Sequence, residues 1–229
     1  MENERKLQIE VGSYISGLLR TYFGKGPKSV YVAIKSPYII MHFRDFVTPM
    51  DKFLLQQNET KRILETREML MENMKKEVVD ELWEIGELNV TAIYSDWNLE
   101  NKTGIIIGKL DGNEKDQSLT WPKDLDEEAF RNQLIEASIL SEKSPEDQEI
   151  YWLDHRTILV QRSNILLPIE KELINNGHAE ELKRAKWELE QKILSGLEFE
   201  DILKRPVSEA FLDWDFAEDV GYIVFIVKS

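Results

Sequence analysis

Apolar positions along the chain switch between helical and strand spacing, and the order of the switches occurs twice. Leu7, Val11, Tyr14, Ile15, Leu18 and Leu19 recur at intervals of three and four, which places them on one stripe of a helix. Gly24-Lys25-Gly26-Pro27 stops that helix. Two β-rich runs follow at 30–34 and 38–43, and Lys35-Ser36-Pro37 between them reads as a hairpin with its proline in or beside the turn. Thr48-Pro49-Met50-Asp51 has the chemistry of a helix start: a hydroxyl to cap free N–H groups, proline at the first helical position and an acid in the first turn. The spacing of Ile63, Leu70, Met74, Val78 and Leu82 predicts a helix to about Gly86, broken near Asn58. Two more strands are expected at 89–94 and 104–110, joined by a loop holding Asp96-Trp97-Asn98. The order is αββααββ.

Residues 111–124 are polar, rich in turn formers and without periodicity, so they read as a linker between a first module at 1–110 and a second at 125–229. Asp124 with Glu127 resembles a capping box, and Phe130, Leu134, Ala137, Ile139 and Leu140 continue as a helix. β-rich runs at 149–153 and 157–161, Pro168 at a helix start, a long charged helix and two final strands complete the second round. The residues repeat as well as the order. Asp96-Trp97-Asn98 and Gly104 return 117 positions later as Asp213-Trp214-Asp215 and Gly221. A separation of 119 aligns Pro49 with Pro168, Leu54 with Leu173, Arg67 with Lys186 and the stripe Ile63, Leu70, Met74, Val78 with Leu182, Leu189, Ile193, Leu197. The two-residue difference falls near the end of the long helix. The expected fold is therefore α+β: two tandem modules, each a small mixed or antiparallel sheet covered mainly on one side by helices, paired about a pseudo-twofold axis.

Composition narrows the function classes. With 42% apolar and 31% charged residues, the chain is expected to be ordered. A formal charge of -14 repels phosphate backbones and anionic headgroups, so nucleic acid is not an expected partner. The absence of cysteine removes disulfides, thiolate nucleophiles and thiolate metal sites. The polar start, Met1-Glu2-Asn3-Glu4-Arg5-Lys6, lacks the apolar core of a secretory signal, and the apolar runs are strand-sized; a cytoplasmic location without membrane insertion is the expectation.

Few residues offer chemistry. His42, His155 and His178 do not fall at equivalent positions and have no partner at metal-ligand spacing, so neither a metal nor a cofactor is expected. His42 lies in a strand run, where a half-exposed sheet position is the ordinary explanation. Gly24, Lys25 and Gly26 could cradle an anion, but they end a helix instead of opening one, which favours a cap and turn. Arg67 and Lys186, repeated in the middle of an acidic helix, are the other ligand candidates; a buried acid or an anionic ligand competes with the simpler explanation of an ion pair to a helix neighbour such as Glu68 or Glu72. Asp96 and Asp213 are expected to cap a turn, with Trp97 and Trp214 covering a sheet edge or filling an interface. No catalytic residue is recognisable, so an enzyme is not expected.

Tyr22-Phe23-Gly24-Lys25-Gly26-Pro27, Val47-Thr48-Pro49 with Leu54, Arg67, and Ser95-Asp96 stand in an order that resembles the bacterial MpsC family, over about residues 12–110. The second copy resembles a degenerate member, with Lys143-Ser144-Pro145 in place of the glycine turn and Lys186 in place of Arg67. The resemblance implies an accessory role in a sodium- or bicarbonate-transporting, membrane-energising system, and it implies no catalytic residue. The leading expectation is a regulatory protein that binds another protein, such as a membrane transport component; a homodimer is compatible with the pattern. The alternative is a sensor binding an anion or metabolite in a cleft between the modules.

Overall fold

A computed structural model of the chain describes residues 2–112 and 121–228. The chain divides into two compact units, Met1–Asp116 and Gln117–Ser229. Most of the expected linker, residues 113–120, lies outside the described residues.

The first unit runs α1 (Glu2–Phe23), β1 (Ser29–Lys35), β2 (Tyr38–Arg44), α2 (Pro49–Gln56), α3 (Thr60–Gly86), β3 (Val90–Asn98) and β4 (Thr103–Leu110). Its four strands form one antiparallel sheet in the order β1-β2-β4-β3. The second unit repeats the plan with α4 (Glu127–Ser141), β5 (Asp147–Trp152), β6 (Thr157–Ser163), α5 (Pro168–Asn175), α6 (Ala179–Ser195), α7 (Phe199–Leu203), β7 (Val207–Asp215) and β8 (Val220–Val227), its sheet ordered β5-β6-β8-β7. The architecture is α+β; the first module is αββααββ, the second follows the same plan with the short α7 added before β7, and both sheets are antiparallel throughout.

Each core lies between one sheet face and the helices. In the first unit Val11, Ile15, Leu18 and Leu19 of α1 and Met71, Met74, Val78 and Leu82 of α3 pack on Ile39, Met41, Phe43 and Ile106 of the central strands. The second unit uses Phe130, Leu134 and Ala137 of α4, Leu194 of α6 and Phe199 and Leu203 of α7 against Ile158, Val160, Ile223 and Phe225. Trp121 stands over Phe130 and Trp152, at ring-centroid distances of 5.1 and 5.0 Å, so the chain from Trp121 onward already packs with the second unit.

Backbone landmarks repeat with the sequence. Left-handed residues occur at Asp45 and Asn164, Asn58 and Gly177, Glu87 and Lys204, and Lys102 and Asp219, each pair at the separation the side-chain repeat demands. The break expected near Asn58 is one of them, between α2 and α3.

Four local expectations need correction. β3 continues through Asp96-Trp97-Asn98, so those residues belong to a strand and the turn follows at 99–102. The cap of α4 is Asp126, which accepts from the Ala129 N–H at 2.9 Å, and not Asp124. On α3 the fully buried stripe passes through Arg67 and Met71, while Leu70 is only half-buried. His42 is buried instead of half-exposed, because central strand β2 is covered along nearly its whole length.

The second long helix is interrupted, unlike the first. Two fewer residues would turn the rest of a continuous helix by about 200°, carrying its apolar side away from the core. The chain instead leaves the helix at Gly196 and restarts as α7, which returns Phe199 and Leu203 to full burial.

Candidate functional site

Equivalent buried cations occupy the space between sheet and helices in both modules. Arg67 projects from the middle of α3 and is 1% exposed. Its Nη2 donates to Asp51 Oδ2 at 2.6 Å and to the Phe46 carbonyl at 3.1 Å. The same Asp51 oxygen accepts the Thr48 N–H at 2.8 Å, while the Thr48 hydroxyl accepts the Asp51 N–H, a reciprocal capping box that fixes the start of α2. One carboxylate therefore caps a helix and neutralises a guanidinium.

The rest of the guanidinium is surrounded by rings, its carbon lying 4.6 Å from the Trp97 centroid, 5.0 Å from Phe46 and 6.0 Å from Phe23. Nε and Nη1 of Arg67 are buried and meet no hydrogen-bond acceptor among the described residues, which leaves the ring faces as their electrostatic counterparts. Burial presses the Arg67 pKa below its ordinary value and the Asp51 hydrogen bond and charge oppose it; arginine stays charged in either case. Phe43 and Trp97 close the cage across Gly104, where a Cβ would stand 2.5 Å from the Phe43 ring and 2.7 Å from Trp97.

Lys186 occupies the Arg67 position in the second module and is bound to Glu170, the counterpart of Asp51, at 3.0 Å. Glu170 reaches back to the Leu167 N–H at 2.7 Å, so it too ties the short helix α5 to the cation. Lys186 also pairs with Glu142, and its ammonium lies 5.8 Å from the Trp214 ring. A second buried pair is added beside it. Arg162 of β6 donates to Glu190 of α6 at 2.7 Å and to the Ser138 hydroxyl of α4 at 3.1 Å. Glu142, whose side chain is fully buried, has its pKa pushed up to about 8 by burial first and then by the neighbouring Glu190. Burial works on Glu190 in the same direction, but Arg162 beside it, with Glu142 and Lys186, brings Glu190 below the usual carboxylate value.

The ligand candidates read from the sequence do not converge on one site. Gly24 takes a left-handed backbone (φ 72) at the end of α1, and Lys25 donates to the Asp45 and Val47 carbonyls, so the glycine turn fastens the loop that leads into α2. Gly26 lies against the Ser16 carbonyl. Arg67 and Lys186 face buried acids on the neighbouring short helices; Glu68 and Glu72 are not the partners, because Arg67 points inward from the helix. Asp96 and Asp213 each accept the N–H of the tryptophan that follows, within edge strands β3 and β7 and not in turns. Trp97 and Trp214 stack over the repeated cations. Pro49 and Pro168 begin α2 and α5, as their spacing from the caps implies. Among the described residues no group of three or more histidines and carboxylates has metal-holding geometry, and no helix is long and apolar enough to cross a membrane.

The sequence pattern of a family described as the Na+-translocating membrane potential-generating system (MpsC) matches residues 3–112 and again 129–229. The chain belongs to this family. It carries two tandem MpsC domains, and each match covers one of the two α+β modules. No curated protein and no solved structure matches the chain.

Sequence reading missed the polar members of the second MpsC module: Ser138, Glu142, Arg162, Glu170 and Glu190. A signal existed. At the separation of 119 these positions answer Leu19, Phe23, Phe43, Asp51 and Met71, so four of five change from apolar to polar along stripes that should be core.

Proposed function

We propose that this tandem MpsC protein is an accessory component of a Na+-translocating, membrane-potential-generating system and acts by docking on another protein of that system. The observation that carries this is an apolar stripe repeated on the short helices. Met50 and Phe53 on α2 are 63% and 56% exposed, and Ile169 and Leu173 on α5 are 64% and 37% exposed. Spacings of three and four residues put each set on one helix face. Met50 and Ile169 are repeat counterparts, each immediately after the proline that opens its helix.

The buried cations explain why this face is held outward. Asp51 and Glu170 anchor their helices inward to Arg67 and Lys186, one residue after Met50 and Ile169, so the apolar side chains are presented on a fixed helix. A rigid apolar face loses little conformational entropy on docking. The repeat offers two such faces in one chain, which suits a partner with paired binding positions.

A photo-crosslinking side chain placed at Phe53 or Ile169 in producing cells tests the proposal. The expected outcome is an adduct with a membrane-fraction protein from both positions and none from the exposed control Lys61. Equal adducts from Lys61, or none from either stripe position, would overturn it.

A further inference from the structure

The second module's buried cluster contains three carboxylates, Glu142, Glu170 and Glu190, and two cations, Arg162 and Lys186. A closed cluster one negative charge out of balance is costly in a low-dielectric interior. Glu142 Oε1 is taken by Lys186 and Glu190 Oε2 by Arg162. Their other oxygens, Glu142 Oε2 and Glu190 Oε1, are buried and reached by no donor among the described residues. Glu190 stands four residues after Lys186, the holder of Glu142, on the same face of α6, and the two acids interact directly.

We propose that Glu142 and Glu190 form a proton-binding site, in which a single proton shared by the two carboxyl groups completes the charge balance of the second module and fastens the end of α4 to α6. One O–H···O⁻ bond removes both unsatisfied acceptors and the excess charge in one step, and such charge-assisted bonds are among the stronger ones. The groups facing the pair are Arg162 from β6, Lys186 from α6, Glu170 from α5, the Ser138 hydroxyl from α4 and the Trp214 ring from β7. The first module has no counterpart, because Phe23 and Met71 stand where the two acids are. Loss of the proton leaves two adjoining carboxylates in repulsion, so the hold of α4's last turn on α6, then left to the Lys186–Glu142 pair, weakens as pH rises.

The test is a pH titration of the full chain with carbon-13-labelled glutamate, the Glu142 signal being assigned by its loss in Glu142→Gln. A carboxyl that is still protonated at neutral pH and titrates far above the ordinary glutamate range is expected. Alongside it, the equilibrium constant for unfolding of the second module should rise roughly several hundredfold between pH 5 and 8.5. In Glu142→Gln, whose amide supplies the missing donor at every pH, that dependence should vanish. Should the variant fail to fold, the wild-type titration decides alone. Glutamates that all titrate in the ordinary range would overturn the proposal. So would a midpoint or stability that moves when sodium replaces potassium at equal ionic strength, since the shared cation would then be a metal ion and not a proton.

Discussion

Both modules bury a cation at the same point of the same fold, yet they surround it by opposite means. In the first, Arg67 has one acid, Asp51, and is otherwise enclosed by Phe23, Phe46 and Trp97, with Phe43 packed against the last two. In the second, Phe23 has become Glu142, Phe43 has become Arg162, Met71 has become Glu190 and Leu19 has become Ser138. The difference teaches that these four positions form one unit. An isolated Arg162 or Glu190 in an apolar core would be an uncompensated buried charge, so neither is tolerable without the other. The ring cage satisfies a guanidinium through its faces, whereas a compact, strongly hydrated ammonium needs oxygen partners, which fits the joint appearance of Lys186 and its two acids.

The comparison breaks most sharply when one partner of a pair is removed. Arg67→Met leaves Asp51 buried without its cation and should destabilise the first module by about 3–5 kcal/mol, read from urea unfolding followed by Trp97 fluorescence. Arg162→Phe alone should cost the second module a similar amount, about 3–5 kcal/mol, by exposing Glu190 to the same fate. The double change Arg162→Phe with Glu190→Met installs the first module's residues and should recover most of that loss; a double mutant no better than the single would show that the four positions do not act together. Gly104→Ala, which drives a methyl into Phe43 and Trp97, should cost about 1–3 kcal/mol. The smallest difference lies at the caps, where Thr48→Ala should cost about 1 kcal/mol and Leu167→Ala should cost no cap hydrogen bond.

Acidity sharpens the contrast further. The Glu142 carboxyl is raised from 4.5 to about 8, chiefly by burial, so the folded second module holds a proton that the unfolded chain releases. Its contribution to stability is whole below about pH 4.5, declines as pH rises and is gone above about pH 8. Across that window the melting temperature of the second module should therefore fall as pH rises, and fall more steeply than that of the first, in which Phe23 and Met71 stand at the positions of the two acids. Equal slopes for both would erase the distinction.

Much of this architecture was legible in the chain. The helical stripe of α1, the Thr48-Pro49 start of α2, the break at Asn58 and the 117- and 119-residue repeats are local or periodic signals, and periodic signals survive without knowledge of contacts. The buried clusters were not legible in the same way. Arg67 stands out as a candidate by its repetition, but its acid, Asp51, already reads as the acid of a helix's first turn, and one carboxylate performing two tasks leaves only one mark in the sequence. Glu142 and Glu190 sit among many surface acids, and only their alignment with Phe23 and Met71 reveals that they are inside. Asp96 and Asp213 look like turn formers because Asp commonly is one; at a sheet edge the same side chain serves a strand amide that has no neighbouring strand to bond to.

The interruption at Gly196 shows how a packed repeat can change length. A rod with about 3.6 residues per turn cannot lose two of them and keep both ends in phase. Cutting the rod lets its final segment be rotated independently, like a coupling between two shafts, and the strand that follows then enters its sheet in the same register as its counterpart in the first module. Insertions or deletions of other lengths at 196–198 should be absorbed by the same coupling, whereas the unbroken α3 would pass the same change on to β3 as a phase error.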